Sequence, residues 1–262
     1  MTFQPVIPLT GYAGWSFLNR TIAQQKETFA ANASHQRLET YFRENIGSIT
    51  TADELVSDHQ LLTVALGAFG LEEDLYAKAF ISKVLSEGTN DSDALANKLS
   101  DKRYLALSNA FGFTETPPAT TKSDFADTIL TRYQDKAFET AVGNVDNDLR
   151  MALNVDSAMS DIMENASTND GQWFSMMGNT ALRSVFETAM GLPSSIGSID
   201  IDLQLNQFKN RAISMFGTDE FSEISTDTNQ EELIKMFLLR SEMDNYSAAS
   251  SASIALTLLQ SG

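Results

Sequence analysis

The chain has 262 residues, which is enough for one large domain or two small ones with a substantial buried core. It contains no cysteine, which excludes a disulfide framework, a thiolate metal site and a cysteine nucleophile. Its 35 acidic residues outnumber 18 basic ones, giving a formal net charge of −17. Because such a surface repels phosphate backbones, we do not expect nucleic-acid binding.

The N-terminal residues do not resemble a targeting segment. They lack the basic start of a secretory signal, and Pro5 and Pro8 interrupt their apolar residues. No stretch of the chain approaches the ~20 apolar residues that a membrane-spanning helix needs, so we expect no membrane insertion. The protein is therefore expected to be synthesised soluble, and any export would need a route without a cleaved signal.

Aromatic residues are concentrated just after this start, at Tyr12, Trp15 and Phe17. Two interpretations stay open for them. They anchor the N-terminal helix in the core, which is the ordinary role of such residues, or they contact a partner protein. The second interpretation follows from the large share of interface energy that aromatic side chains often carry.

Helical signals follow along most of the chain. Only five prolines occur, so long stretches can form unbroken helices. Large apolar residues in segments 38–49 and 75–85 recur every three or four positions, as on one face of a helix. Thr51 and Glu54 have the spacing of a capping box, which predicts a helix start. The segment 198–205 alternates with period two, but helical spacing follows it, and we interpret it as helix as well.

These signals predict an all-α protein of about ten helices joined by short turns that end on glycine. The Thr/Pro-rich link at 114–122 is the clearest boundary in the chain. It divides an N-terminal helical half, 1–116, from a C-terminal helical half, 117–262. The two halves can also pack as a single domain.

One short pattern recurs three times: a small residue, a bulky apolar residue, a glycine and another bulky apolar residue. Its glycines are Gly70, Gly112 and Gly191, within the strings AFGL, AFGF and AMGL. A helix commonly stops on a left-handed glycine, and an apolar residue after the glycine folds back onto the last turn. The pattern therefore predicts three helix stops of the Schellman type rather than a binding motif.

The surroundings of this pattern also recur. The tripeptide TND occurs at 89–91 and at 168–170, each time 21 residues before the alanine of a glycine motif. This layout suggests two duplicated helical units, over about 63–113 and 136–192. We treat the duplication as a hypothesis, since short matches also arise by chance.

No residue pattern names a catalytic site. The chain lacks the nucleophile elbow, the phosphate-binding loop, the dinucleotide fingerprint and the zinc-protease motif. Neither His35 nor His59 has a second histidine at a ligand spacing, and the stretch 144–155 lacks the glycine and final glutamate of a calcium loop. We therefore expect no catalytic residue, no cofactor and no metal. A catalytic pair of carboxylates, however, needs no local motif.

The C-terminal residues, 247–262, mix alanine and serine with Ile254 and three leucines. Small residues allow helices to approach closely. This segment therefore either caps the core or packs onto another subunit.

Three long strings in the N-terminal half are similar to those of one bacterial family. They are FQPVIPLTGYAGWSFLNRT, DHQLLTVALGAFGLEEDLYAKAFISKVL and LANKLSDKRYLALSNAFGF. The family is known mainly from alphaproteobacteria, has no known biochemical function, and tends to have its genes among flagellar genes. The resemblance is close over residues 3–113 and looser over the remainder.

This resemblance implies a non-enzymatic role in flagellar assembly or motility through contacts with protein partners of the flagellar system. The family has no catalytic residues to carry over. The resemblance implies one of two localisations: a cytoplasmic accessory or chaperone-like protein, or a component exported through the flagellar secretion system, which needs no cleaved signal. The alternative is an enzyme, such as a carboxylate-dependent cell-wall hydrolase active during flagellar assembly.

Overall fold

A computed structural model describes the backbone of residues 4–260 and the side chains of residues 4–193 and 195–246. The described residues form fourteen α-helices and no strand, which confirms the predicted all-α class. Eleven of these helices have seven residues or more, close to the ten predicted. The chain divides into two compact units: unit 1 comprises 1–6 and 20–145, and unit 2 comprises 7–19 and 146–262.

Helix α1 (Gly11–Ala30) begins in unit 2 and ends in unit 1. Seven further helices complete unit 1. They are α2 (Ala33–Asn45), α3 (Ala52–Ser57), α4 (His59–Gly67), α5 (Lys78–Glu87), α6 (Leu95–Lys98), α7 (Arg103–Phe111) and α8 (Phe125–Gly143).

Unit 2 contains six helices besides the start of α1. They are α9 (Asn147–Asn165), α10 (Asn169–Gly178), α11 (Thr180–Met190), α12 (Ile201–Phe216), α13 (Phe221–Ile224) and α14 (Asp227–Gln260). The units meet in sequence between Val145 and Asp146, whereas the Thr/Pro-rich link lies within unit 1.

Helix α4 lies in the core of unit 1 because apolar residues occupy most of its circumference, leaving only the side with His59, Gln60 and Thr63 polar. Its buried residues are Leu61, Leu62, Val64, Ala65 and Leu66. It packs against α2, α3 and α8, and the cluster around it includes the rings of Phe111 and Phe125, in edge contact at 5.1 Å. A helix whose apolar residues occupy most of its circumference is stable only when other helices pack around it.

Unit 2 has a separate aromatic core centred on Trp173 of α10, which is fully buried. The indole ring contacts Phe186 and Phe221 edge to face, with ring centroids 5.8 and 5.4 Å apart. The indole N–H donates to the carbonyl oxygen of Asp219 at 2.9 Å. Because the one polar atom of the buried ring is thus satisfied, burial of Trp173 stabilises the unit at no hydrogen-bonding cost.

The three predicted helix stops are confirmed. Gly70, Gly112 and Gly191 have left-handed φ angles of 66°, 56° and 61°. After Gly70 and Gly191 the next residue donates its N–H to the carbonyl five positions earlier, at 3.0 and 2.9 Å, which is the Schellman pattern. The helix before Gly112 is closed instead by the N–H of Gly112 itself, which donates to Ser108 at 3.0 Å. This stop is a simpler left-handed cap, and the Schellman prediction was wrong there.

Two other local predictions are confirmed. The Thr51 side chain accepts from the Glu54 N–H while the Glu54 carboxylate accepts from the Thr51 N–H, so the capping box forms at the start of α3. The alternating segment 198–205 leads into α12, whose first turn is capped by the Asp200 side chain. Helical spacing thus outweighed the short period-two pattern.

The two TND tripeptides have different local structures. Thr168 caps α10 by accepting from the Gly171 N–H at 3.2 Å. In the other tripeptide Asp91 accepts from the Asp93 N–H at 2.8 Å and forms a turn, with α6 starting only at Leu95. The duplication of helical units stays a prediction.

None of the helices, over the part of the chain that the structure describes, is both long and apolar enough to span a bilayer. The backbone of α14 is helical to Gln260. The predicted packing of the 247–262 side chains lies outside the described residues.

Candidate functional site

The predicted aromatic residues Tyr12, Trp15 and Phe17 lie on the first two turns of α1, within unit 2. All three are half-buried, so each is packed on one side and accessible on another. This position suits both an anchor of the helix and a contact for a partner. The partner contact stays a prediction.

Two glycines let this start of α1 pack closely within unit 2. A Cβ atom on Gly14 would lie 2.1 Å from the carbonyl oxygen of Leu9, and one on Gly11 would lie 1.9 Å from Cδ of Glu242 on α14. Any side chain at position 14 would therefore collide with backbone. Through Gly11, the start of α1 lies directly against the middle of α14.

The middle of α14 changes from buried to exposed within three turns. Leu233, Phe237 and Leu238 are at most 1% exposed. Beyond them Leu239 is 38%, Met243 69% and Tyr246 78% exposed. The last three residues are four and three positions apart, so they share one face of the helix. We call Leu239, Met243 and Tyr246 the α14 stripe.

A surface pocket of about 480 Å³ adjoins this stripe. Its walls come from the end of α11 and from α14, and its lining residues are Glu187, Thr188, Gly191, Leu192, Arg240, Met243 and Asp244. Met243 belongs to both the stripe and the pocket. We call the stripe and the pocket together the α14 surface.

Arg240 covers the helix stop at Gly191. A Cβ atom on Gly191 would lie 2.0 Å from Nη1 of Arg240, so the guanidinium lies where α11 ends. A cation at this place is favourable because the last carbonyl groups of a helix carry partial negative charge. The positive charge of Arg240 therefore interacts with the end of α11, within the fold.

Acidic groups dominate the remainder of this surface. Glu242 and Asp244 are exposed on either side of Met243, and Glu187 lines the pocket while accepting a hydrogen bond from Arg183 Nε at 2.7 Å. On the far side of α14, the Ser241 hydroxyl donates to the Asp148 carboxylate. The α14 surface is therefore apolar along one helix face and acidic at its edges.

Unit 1 holds a different group of titratable residues beside the glycine motif. The Tyr133 ring lies over Gly67, where a Cβ atom would be 2.8 Å from the ring and 3.9 Å from Cγ of Glu72. Although Glu72 as a whole is exposed, desolvation of its carboxyl group raises its pKa. Lys136 Nζ is 3.1 Å from Glu139 Oε2, and both of these side chains are nearly buried.

Glu39 adds a third carboxylate near Tyr133. Its Oε2 accepts from the Gln134 side chain at 2.9 Å, while its buried Oε1 has no hydrogen-bond partner. Burial raises the pKa of Tyr133, and the carboxylates of Glu39 and Glu72 raise it further. These groups could hold and exchange a proton, which is the chemistry that an acid–base enzyme requires.

Metal binding has no assembled site among the described residues. No group of three or more histidine, aspartate or glutamate side chains there is arranged to hold an ion. His35, one of the two histidines, packs instead on Phe29, with ring centroids 4.4 Å apart.

The sequence did not single out the α14 surface. A spacing of four and three, as in the α14 stripe, also describes a helix face turned toward a core. Helical spacing continues past residue 240 in the sequence, but this spacing does not distinguish an exposed face of a helix from a buried one.

Comparisons with known proteins place the chain in a family. Residues 68–248 match a family described as a protein of unknown function (DUF1217). The crystal structure of protein AGR_C_984 from Agrobacterium tumefaciens is similar, with 27% identity and a TM-score of 0.74 over 93% of this chain and 100% of that one. None of the curated proteins matches the sequence. Since the family match covers well over half of its residues, this chain belongs to the DUF1217 family.

Proposed function

We propose that the protein is a non-enzymatic, flagellum-associated protein that acts in flagellar assembly or motility through protein–protein contacts made by the α14 surface. The observation that carries the proposal is the exposure of Met243 and Tyr246, 69% and 78%, on one face of a helix next to a pocket. Large apolar side chains grouped on a soluble surface commonly mark a binding site.

The flagellar context rests on the resemblance of the N-terminal strings to a family whose genes lie among flagellar genes. A solved relative from Agrobacterium, an alphaproteobacterium, agrees with the bacterial group of that family. The half-buried Tyr12, Trp15 and Phe17 extend the proposed contact surface along the start of α1, which reaches Glu242 through Gly11.

The test is a pull-down of flagellar rod, hook and motor components from the host bacterium with a tagged copy of the protein. The double variant Met243→Ser/Tyr246→Ser should lose the captured component. A matched control is Tyr76→Ser, because Tyr76 is 88% exposed but lies in unit 1. The control should capture as much as the unaltered protein.

Swimming provides the second measurement. A deletion strain should swim poorly on soft agar, and the double variant should restore swimming less than the control does. A clean deletion strain that swims normally would contradict the proposal. Fractionation of cells carrying the tagged protein distinguishes a cytoplasmic accessory protein from an exported component.

A carboxylate-dependent cell-wall hydrolase is the second candidate. The observation that favours it is the raised pKa of Glu72 near the Lys136–Glu139 pair, since a general acid needs such a pKa. Purified cell wall incubated with the protein should release no soluble fragments if the first proposal holds. Fragment release that disappears in Glu72→Gln would replace it with the enzymatic function.

A further inference from the structure

We infer that the α14 surface binds a basic, amphipathic helical segment of a partner protein. This inference rests on the proposed function and adds the chemistry of the partner. Three arguments lead to it: the shape of the α14 surface, the balance of charges in unit 2, and the repulsion expected between two copies of this surface.

The shape of the α14 surface suits a helix. The α14 stripe runs over eight residues, 239–246, or about 10 Å of helix, which matches two turns of a docked helix. The pocket lies where α11 stops at Gly191, against Arg240 and Met243 of the longer α14. Glu187 and Thr188 of α11 border the pocket together with Met243 of α14. A helix laid along this face would place an apolar residue every three or four positions on the stripe.

The charges of unit 2 select a basic partner. Unit 2 contains 17 acidic and 6 basic residues, a formal charge of −11. Glu242 and Asp244 lie on either side of Met243, Glu187 of the pocket lining accepts from Arg183, and the basic group in the pocket lining, Arg240, lies against the helix stop at Gly191. Lysine or arginine side chains at the edges of a docked helix would therefore meet carboxylates, while their aliphatic stems lie on Met243 and Tyr246.

The same charges argue against a second copy as the occupant. Two α14 surfaces brought together would juxtapose acidic edges, and like charges across an interface disfavour association. A partner of opposite charge gains affinity and a faster encounter from the field that would oppose a second copy. The α14 stripe provides the affinity, and the acidic edges of the α14 surface favour a partner of positive charge.

The experiment uses the full-length protein and three short fluorescent peptides. The first combines leucine and lysine in a helical amphipathic order. The second has the same composition in an order that gives no apolar face, and the third replaces lysine with glutamate. Fluorescence anisotropy at low and high salt measures binding. The amphipathic leucine–lysine peptide should bind the protein most tightly, and its affinity should fall as salt rises.

Variants locate the binding on the α14 surface. Met243→Ser/Tyr246→Ser should lower the affinity for the amphipathic peptide at least about tenfold, as expected for loss of two interface anchors. Glu242→Gln/Asp244→Asn should weaken it at low salt and reduce the salt dependence. Ile213→Ser is the matched control, because Ile213 is 49% exposed in unit 2 but lies on α12, and this variant should bind normally. Circular dichroism confirms that each variant is folded.

Several results would overturn the inference. If the glutamate peptide binds as tightly as the amphipathic leucine–lysine peptide, the partner need not be basic. If the reordered peptide binds as tightly, the partner need not be an amphipathic helix. Unchanged binding by Met243→Ser/Tyr246→Ser would move the site elsewhere. Sedimentation that shows a dimer disrupted by the same variant would make a second copy the occupant. If the peptides fail while this variant still loses its flagellar component in the pull-down, the proposed function stands and only the partner chemistry is wrong.

Discussion

The two units differ most in what they leave exposed. Thirteen large apolar side chains are exposed among the described residues, and ten of them lie in unit 2. Unit 1 carries 12 basic and 18 acidic residues, a formal charge of −6, against −11 for unit 2. Units of nearly equal length thus differ both in apolar exposure and in charge. This difference supports our proposal that the partner surface lies on unit 2.

Side-chain hydrogen bonds hold several turns of unit 1. The hydroxyl of Tyr41 donates to Asp58 at 2.6 Å and that of Tyr104 to Asp74 at 2.7 Å. Arg132 donates to the carbonyl of Ala68, next to the helix stop, at 3.1 Å. Polar groups that bond within the fold hold its turns in place. The following predictions probe such internal contacts in the two units.

The largest expected effect compares the two cores. Trp173→Ala in unit 2 and Phe111→Ala in unit 1 should each lower the free energy of unfolding by about 3 to 5 kcal/mol, since both rings are fully buried. Urea unfolding measures the loss, and amide hydrogen exchange locates it in the unit that carries the variant. Phe174→Ala is the control, because the neighbouring ring is 38% exposed. A loss equal to that of Trp173→Ala in this control would show that the aromatic core does not stabilise unit 2.

A smaller effect is expected at the start of α1. Gly14→Ala should lower the free energy of unfolding by about 1 to 3 kcal/mol, because its Cβ would lie 2.1 Å from a backbone oxygen and the chain must shift. Gly47→Ala in unit 1 is the matched control, as no atom lies within 4 Å of its Cβ position. Thermal unfolding of both variants checks the difference. Similar melting temperatures would mean that the start of α1 is not packed as described.

Replacing a helix-stop glycine should lower the free energy of unfolding by the same amount in both units. Gly112→Ala and Gly191→Ala should each destabilise by about 1 kcal/mol, because both residues have positive φ angles that alanine adopts only with strain. The atoms nearest to the added methyl groups belong to the movable side chains of Glu115 and Arg240. Urea midpoints measure both costs. An unchanged midpoint for Gly112→Ala would contradict the role of this glycine as a helix stop.

The smallest effect concerns acid sensitivity in unit 1. Partial burial raises the pKa of the Asp58 carboxyl, but donation by the Tyr41 hydroxyl and by two backbone N–H groups of α4 lowers it below its ordinary value on balance. A carboxyl group whose pKa is lowered by folding stabilises the folded protein at pH values above its ordinary pKa. This stabilisation is lost as the pH falls through the pKa that the group has in the folded state.

Asp58→Asn removes this dependence while keeping the cap. The unaltered protein should therefore lose more unfolding free energy than the variant between about pH 6 and about pH 3. Chemical unfolding over this range measures the difference. Parallel losses in the two proteins would assign the acid sensitivity to other carboxylates.

The fold class and the helix stops could be predicted because they depend on near neighbours. The spacing of apolar residues sets a helix face, and the missing Cβ of Gly70 and Gly191 permits the left-handed turn. The shorter cap at Gly112 was missed because the choice between the two stop patterns depends on where the following residues lead. The same limit applies to the TND tripeptides, of which only Thr168 caps a helix.

The α14 surface could not be predicted in this way. Phe237 and Leu238 are buried, whereas Met243 and Tyr246, one and two turns further along the same helix, are exposed. All four side chains are large and largely apolar, but the helical repeat puts Phe237 and Leu238 on a different face of α14 from Met243 and Tyr246. Their difference in exposure arises from which face of α14 packs on the rest of unit 2, and apolar spacing alone does not say which face that is.

The sequence by itself determined that this is an acidic, cysteine-free, all-α protein whose helices stop on glycine, because charge, composition and local backbone preference are carried by each residue and its neighbours. Only the tertiary structure decided where the two units divide and which apolar residues of α14 stay exposed. It also decided which carboxylates gather around Tyr133. These properties depend on contacts between residues far apart in the chain, and no local pattern contains them.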